Sequence, residues 1–534
     1  DVQTAISKDH SYAKVAELCI IPPALKEMNK ENIAKSAIGV TIVMIIGYFL
    51  SFGKEALVAY YFGVSPEVDA YTIAIQVPVV LFSFVAVAIQ SVIVPLYSDI
   101  LYNQSREKTN LFASNLIIIV SLFVLLLFVL GEVFASGLIY LFAPGFDSEV
   151  HELAVTLLRI TLPTVFFSLI VKVYTAILNV NKKYVFPELG LLLLNIGLII
   201  TIVVLQAQYG IVAACLGQIV GTLVQFGFLA LLIRKYFSFT FYFNPKEEKM
   251  KQALKMSLPV FWSISVAELN AMINRMVASF LFVGSIAALS YAQKLNTIFI
   301  SFFTSAIATI VYPLYAESAA KGDTKQFNSR INLTMSAYAF FLVPVMAFLL
   351  CFKREVVTLA FARGAFDASA IDLTQQLLGF YVLGLLFLSL RGTVTNVFYS
   401  LKDSTTPAKN ATVGVLINLV LNLTLPFVIG INGLALATAL SAIYITTMLV
   451  ILLLKKHQEF NLTGFFKNFK GIVVASVVTA VAMVVCRYFM EDSSVILRFC
   501  IGCLCCMVCY LTCIVIMRVP IFIMFTDMIK KKKK

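Results

Sequence analysis

Apolar runs of about 20 residues, the length an α-helix needs to cross the hydrocarbon core of a bilayer, recur along the whole chain. They fall near residues 36–62, 70–97, 112–142, 153–178, 184–205, 210–233, 256–282, 286–315, 331–352, 372–400, 410–429, 433–454, 471–486 and 499–517. In lipid every backbone polar group must bond within the protein, so runs of this length fold as helices. Sixty per cent hydrophobic residues, 13% charged residues and a mean hydropathy of +0.93 exclude an ordinary soluble domain of 534 residues. The expected fold class is an all-α polytopic membrane protein with fourteen transmembrane helices.

The helices are written twice. Ile-Val-Pro-Leu-Tyr from Ile93 returns as Ile-Val-Tyr-Pro-Leu-Tyr from Ile310, and the Phe146-Asp147 pair of LFAPGFD returns as Phe366-Asp367 of AFARGAFD. Asn195 pairs with Asn418 and Gly210 with Gly433, so that offsets run from 218 residues, between Pro95 and Pro313, to 223. Six spans lie between matched points, an even number, so the halves share one orientation and form two parallel six-helix repeats. Duplicated helical halves are the architecture of transporters, with the cargo site between them. Two extra C-terminal helices have no counterpart.

Charge orients the chain. With the N-terminus inside, the inside segments carry 30 of the 41 Lys and Arg residues, the outside loops 5 and the spans 6, which satisfies the positive-inside rule with both termini in the cytoplasm. The one discordant outside loop carries Lys353, Arg354 and Arg363. The net charge of +13 is assigned to the inside loops and the Lys530 to Lys534 tail facing anionic lipid. No basic stretch is interleaved with aromatics as a nucleic-acid surface would be. The expected parts are a cytoplasmic N-terminal segment, 1–35, with no apolar h-region; a first lobe, 36–240; a second lobe, 250–457; helices 13 and 14, 465–517; and a basic cytoplasmic tail, 518–534.

The chain lacks the motifs of an enzyme. Its three histidines fall outside the spans, and GxxxxGK[ST], HExxH and GxSxG are absent. Seven cysteines fall in or beside the last span, those from Cys500 to Cys513 with no His, Asp or Glu among them, and read as small hydrophobes. Transport energy is therefore expected from an ion gradient, the membrane potential or the cargo's own gradient.

The informative charges lie within the spans: Lys54, Arg159, Lys172, Arg275, Lys294 and Arg391. Each costs about 2.5–3.5 kcal/mol at mid-span unless it faces a cavity or a partner. Carboxylates are scarcer, with Glu55 beside Lys54, Glu188, Glu268, and Asp69 opening the second span. Adjacent helix positions point about 100° apart, so Lys54 and Glu55 do not neutralise each other. Lys172, Arg391 and Arg159 have long stems that reach an interface. Lys54, Lys294 and Arg275 are the candidates for a cationic cavity whose missing anion is the cargo.

The stretch FARGAFDASAIDLTQQLLGFYVLGLLFLSLRGTVTNVFYSLKDSTTPAKNA, Phe361 to Ala411, resembles a signature of the MurJ/MviN lipid II flippases of the MOP exporter superfamily. So do FGKEALVAYYFGVSPEVDAY, Phe52 to Tyr71, then SIAALSYAQKL, Ser285 to Leu295, and NLVLN followed by GLALAT, Asn418 to Thr438. The likeness runs in order over about residues 40–455. It implies two six-helix lobes around a cationic cavity, a groove for the lipid tail on helices 13 and 14, and a cargo of undecaprenyl-pyrophosphate-linked glycan carried to the outer leaflet of a bacterial cytoplasmic membrane.

Carried over by position, the resemblance puts Lys54 at a span-one arginine and Lys294 at the arginine of a Tyr-Ala-Asp-Arg motif, here Tyr291-Ala292-Gln293-Lys294. Asp69 matches an aspartate at the start of span two, and the substrate-binding set becomes Lys54, Lys294, Arg275, Asp69 and Glu55. Tyr48 and Phe82-Ser83 stand where lipid II flippases commonly carry arginines. A sodium site is implied at Asn274, Asn418, Asn422 and Thr438, where some relatives have carboxylates in place of Asn274 and Asn422. Neutral oxygens hold a hard cation weakly, and interhelical hydrogen bonding is the other reading of these amides. The expectation is a monomeric, non-enzymatic lipid II flippase without a cofactor, coupled to membrane potential more than to sodium. The rivals are a flippase for another lipid-linked oligosaccharide, of O-antigen, exopolysaccharide or teichoic type, a multidrug or cation antiporter, and an inactive scaffold for cell-wall synthesis.

Overall fold

The computed structural model describes residues 30–321, 324–401 and 403–523. The segment expected to be cytoplasmic at the N-terminus lies outside them up to residue 29, as does the tail from residue 524. The described chain is all-helical, without a strand. In order the helices are α1 Lys30–Phe62, α2 Pro66–Asn103, α3 Arg106–Val133, α4 Ala135–Phe142, α5 Ser148–Thr161, α6 Thr164–Val180, α7 Val185–Tyr209 and α8 Val212–Ile233. There follow α9 Glu248–Ser279, α10 Ser285–Lys321, α11 Thr324–Cys351, α12 Lys353–Phe361, α13 Ala368–Val382, α14 Leu385–Ser400, α15 Thr405–Thr424, α16 Pro426–Ile429 and α17 Asn432–Lys456. The last two are α18 Thr463–Phe489 and α19 Val495–Ile516.

Among the described residues ten helices are long and apolar enough to cross a bilayer, or eleven when α5 and α6, bent by 42° at their break, count as one span. The expected fourteen requires α2, α9 and α10 as well, which are 38, 32 and 37 residues long.

The duplication is legible in where helices stop. Asp147 accepts from Val150 N at 2.9 Å and opens α5; Asp367 accepts from Ala370 N at 2.8 Å and opens α13. The repeated Phe-Asp pair is therefore a helix N-cap. The α5–α6 break at Leu162-Pro163 returns at Leu383-Gly384 between α13 and α14. Gly63 and Gly284 precede α2 and α10 with φ of 61° and 88°, and Gly210 and Gly430 end α7 and α16 with φ of 54° and 59°. That conformation favours glycine. It corrects the pairing of Gly210 with Gly433: the counterpart of Gly210 is Gly430. Gly433 is instead a packing residue, since a Cβ there would lie 2.5 Å from the carbonyl carbon of Leu425.

The described chain divides into two compact units, one of residues up to Lys54, Ile75–Ala135 and Thr156–Ser265, the other of Glu55–Ala74, Ser136–Val155 and Val266 onward. In the first, α7 and α8 pack backbone to backbone: a Cβ on Gly221 would lie 2.3 Å from Leu194 O, and one on Gly197 3.0 Å from Gly221 Cα. Small residues permit this approach where lipid gives no hydrophobic drive. The connection from α8 to α9 is pinned to α3, because Asn115 Nδ2 donates to Asn244 O at 2.8 Å and Asn115 Oδ1 accepts from Asn244 N at 2.9 Å. Lys249 Nζ bonds Asp99 Oδ2 at 2.6 Å, which holds the Asp99 carboxyl below its usual range.

The second unit repeats the device. Asn332 of α11 donates to Asn461 O at 2.8 Å and accepts from Phe465 N at 2.7 Å, which pins the connection from α17 to α18. The two unmatched helices are tied further by Tyr510, whose hydroxyl donates to Phe340 O at 2.8 Å, and by an ion triad around the buried Glu355. Glu355 Oε1 lies 3.3 Å from Arg487 Nε and 3.6 Å from Arg498 NH1, its own side chain 2% exposed. The basic loop expected to lie outside is partly matched by the helix that follows it, Arg354 NH1 lying 3.6 Å from Asp372 Oδ1 of α13.

Candidate substrate site

Helix α10 is apolar and mostly buried on one side, yet Ser290, Gln293, Lys294, Thr297 and Ser301 follow one another at spacings of one, three or four. Those spacings place them on one helix face, and all five retain some exposure. A polar stripe on a spanning helix marks a face turned from lipid toward water or a partner.

Lys294 Nζ lies 3.7 Å from Glu55 Oε1 of α1, with side chains 28% and 21% exposed. The carboxylate of Glu55 on α1 thus faces Lys294 on α10. Lys54 is half-buried and belongs to the first compact unit. Arg275 is apart from that pair: its NH1 donates to Ala271 O at 3.2 Å, its Nε has no hydrogen-bond partner among the described residues, and Glu268 and Tyr381 lie within its electrostatic reach.

Asp69 is placed otherwise than a ligand-facing residue would be. It is 3% exposed, and its two carboxylate oxygens accept from Gly284 N and Ala287 N, each at 2.7 Å. An anion belongs at a helix N-terminus, where unsatisfied amides and the helix dipole meet it; here the anion comes from another helix. Asp69 therefore anchors α10 with both of its oxygens.

Around this anchor the backbones come very close. Ala365 N donates to Tyr60 O at 2.8 Å, and Tyr291 OH donates to Gly63 O at 3.1 Å. A Cβ on Gly63 would lie 2.4 Å from Ala365 O, and one on Gly364 would lie 2.2 Å from Tyr60 O. The Tyr291 ring packs on Phe361 and Phe366 with centroids 5.1 and 5.6 Å away. These residues belong to Tyr291-Ala292-Gln293-Lys294 and to the stretch beginning at Phe361. Both motifs thus build one junction, a role sequence reasoning missed; the glycine between two aromatics was its signal. Phe82, at one position where an arginine was looked for, is buried.

Asn274, Asn418 and Asn422 are brought together. Asn422 Nδ2 donates to Asn274 Oδ1, and to Asn418 Oδ1 at 2.7 Å, while Asn418 Nδ2 donates to Ser441 Oγ at 3.1 Å. Thr438 is not in the cluster by its hydroxyl, which donates to Leu434 O at 3.0 Å. Two of the three amide oxygens are thus spent on Asn422, and Asn422 Oδ1 alone is buried without a partner. As arranged, the residues fit a hydrogen-bonded amide cluster better than a cation cage, which wants several free oxygens, some of them anionic.

The family profile described as "Lipid II flippase MurJ" matches residues 58–528. The "Lipid II flippase MurJ" of Thermosipho africanus is 30% identical over 438 residues, covering 82% of this chain and 88% of the relative. The "Probable lipid II flippase MurJ" of Thermotoga maritima is 27% identical over 448 residues, covering 83% and 90%. A solved structure, "Lipid II flippase MurJ, inward closed conformation", is 29% identical with a TM-score of 0.79, covering 90% of this chain and 98% of the other. An inward-facing multidrug transporter of the MATE family, 16% identical with a TM-score of 0.64, shares the fold. The chain belongs to the lipid II flippase MurJ family.

Proposed function

We propose that the protein moves a polyprenyl-pyrophosphate-linked glycan, lipid II, from the inner to the outer leaflet by alternating access, with no chemical step. The observation that carries the reading is Lys294, a cation on the polar stripe of α10, 3.7 Å from the carboxylate of Glu55. A lysine in hydrocarbon is costly unless an anion faces it, and Glu55 faces Lys294 while no cargo is bound. A pyrophosphate brings more charge and more oxygens than one carboxylate and competes for the ammonium. Lys54, one residue before Glu55 on α1, and Arg275 are proposed to take further phosphate oxygens.

In this proposal the junction at Asp69 lies toward the outer side and parts when the site opens outward. The lobes 36–240 and 250–457 supply the alternation, and the last two helices, α18 and α19, carry the polyprenyl tail, which never leaves lipid. The protein is proposed to act as a monomer with both termini in the cytoplasm. An inside-negative potential assists, since each negative charge carried outward gains about 2.3 kcal/mol per 100 mV. The likeness to MATE transporters is one of fold. A cation antiporter would bring acids to its cargo, whereas the polar stripe here brings a lysine.

Complementation tests the reading. Expression in a bacterium depleted of its own lipid II flippase is expected to restore growth, and Lys294→Ala is expected not to, at equal membrane abundance. Growth restored equally by Lys294→Ala would remove the site; failure of the unaltered chain would remove lipid II as cargo.

A further inference from the structure

We propose that the elbow between α17 and α18 binds an anionic glycerophospholipid of the cytoplasmic leaflet, with the phosphate on Lys467 and Lys470 and an acyl chain against the apolar wall beside them. The elbow encloses a cavity of about 730 Å³ lined by Leu454, Phe460, Leu462 and Phe466 together with these two lysines. The proposal rests on the orientation that places this elbow inside.

The cavity is built. Asn332 holds both sides of the elbow through Asn461 O and Phe465 N, and Asn328 Oδ1 accepts from Asn461 N at 3.1 Å. The Phe460 ring is fixed beneath, 5.5 Å from Phe327 and 5.7 Å from His457. Phe466, Lys467 and Lys470 share one face of α18, at spacings of one, three and four. That face thus offers an aromatic ring and two ammonium groups together.

The charges of the elbow select the ligand. The nearby acids are engaged elsewhere, since Asp403 Oδ2 lies 2.9 Å from Lys456 Nζ and Glu459 Oε1 lies 3.3 Å from His457 Nδ1. Lys467 and Lys470 pair with no carboxylate among the described residues. They also precede the apolar run that begins near residue 471, so they sit at headgroup depth, where anionic lipid attracts lysine. An apolar wall below a pair of lysines complements a phosphate ester carrying acyl chains. The elbow is separate from the Lys294 stripe, and its ligand is a membrane constituent, not the cargo.

The test reads lipid, not transport, so the lipid II reading can fail without moving it. The full chain is reconstituted with equal phosphatidylglycerol and phosphatidylcholine and re-extracted, and retained lipid is measured by mass spectrometry. Phosphatidylglycerol is expected to be retained over phosphatidylcholine. Lys467→Gln with Lys470→Gln is expected to weaken its retention about twenty-fivefold, at about fivefold per lysine. Leu454→Trp, which fills the cavity and keeps both lysines, is expected to reduce it as well. Equal retention of the two lipids, or retention unchanged in both variants, would overturn the proposal. Displacement by undecaprenyl phosphate at equal concentration would overturn it in favour of the cargo's own tail. Labelling of Thr463→Cys from outside would overturn its leaflet.

Discussion

Asp69 Oδ1 accepts the amide of Ala287 at 2.7 Å, binding two residues 218 apart in the chain. With Gly284 N on the other oxygen, one carboxylate holds the N-terminus of a 37-residue helix that also bears Lys294. The anchor of α10 is thereby tied to the helix that presents the proposed headgroup ligand.

Asp69→Ala is expected to lose both acceptors and cost about 1.5–3 kcal/mol, the range for hydrogen bonds to a charged group. Asp69→Asn keeps one carbonyl oxygen and is expected to fall between it and the unaltered protein. Thermal unfolding in detergent checks the order, and transport is expected to fall in the same order. Equal stability of all three proteins would detach Asp69 from α10.

Glu355 supplies a stability prediction remote from cargo. Removing the carboxylate leaves Arg487 and Arg498 without their anion, and because both guanidinium groups keep contact with solvent the cost is expected below the roughly 3–5 kcal/mol of a fully buried pair. Glu355→Ala is expected to lower Tm markedly, and proteolysis is expected to cut first in the 490–494 connection between α18 and α19. A Tm within error of the unaltered protein would show that other contacts hold those helices.

Asp403 gives a pH dependence. Burial alone would raise its carboxyl, but the Thr406 hydroxyl and amide and the Lys456 ammonium overcome this and bring it down from 3.8 to about 2. A depressed carboxyl contributes stability above its unfolded value, and that contribution fades as pH falls through the folded one. Unaltered protein is therefore expected to melt above Asp403→Asn at pH 5 to 7, with the gap closing as pH falls from about 4 toward about 2. A gap that stayed constant over this range would exclude the titration.

Energy coupling follows from the amide cluster. With two of its three oxygens already used, transport is expected to respond to a membrane potential clamped with valinomycin and potassium, and to change little when choline replaces sodium. If sodium proved necessary and potential irrelevant, the cluster would be the ion site. Asn422→Asp would then strengthen sodium binding and Asn422→Leu would stop transport.

Much of the fold was legible because membrane helices follow simple rules. Run length and the recurring LFAPGFD and AFARGAFD stretches needed no tertiary information. Less of the site was legible, for a physical reason. Glu55 beside Lys54 and Asp69 at a span boundary read alike as cavity acids. Their partners, Lys294 and the amides of Gly284 and Ala287, lie more than 200 residues away. Gly433 invited pairing with Gly210 by its neighbours, whereas only backbone conformation reveals Gly430 as the counterpart. The amides at 274, 418 and 422 announced a polar cluster, but sequence does not say whose oxygens are already taken.

The most direct measurement is flipping by the purified protein in proteoliposomes carrying fluorescent lipid II, read as label becoming accessible on the opposite face. The unaltered protein is expected to move it. Lys294→Ala is expected to slow the rate about 10- to 100-fold, the loss of a charged contact worth about 1.5–3 kcal/mol, with Lys294→Arg retaining more activity than Lys294→Gln. No movement by the unaltered protein, or an equal rate in Lys294→Ala, would contradict the account.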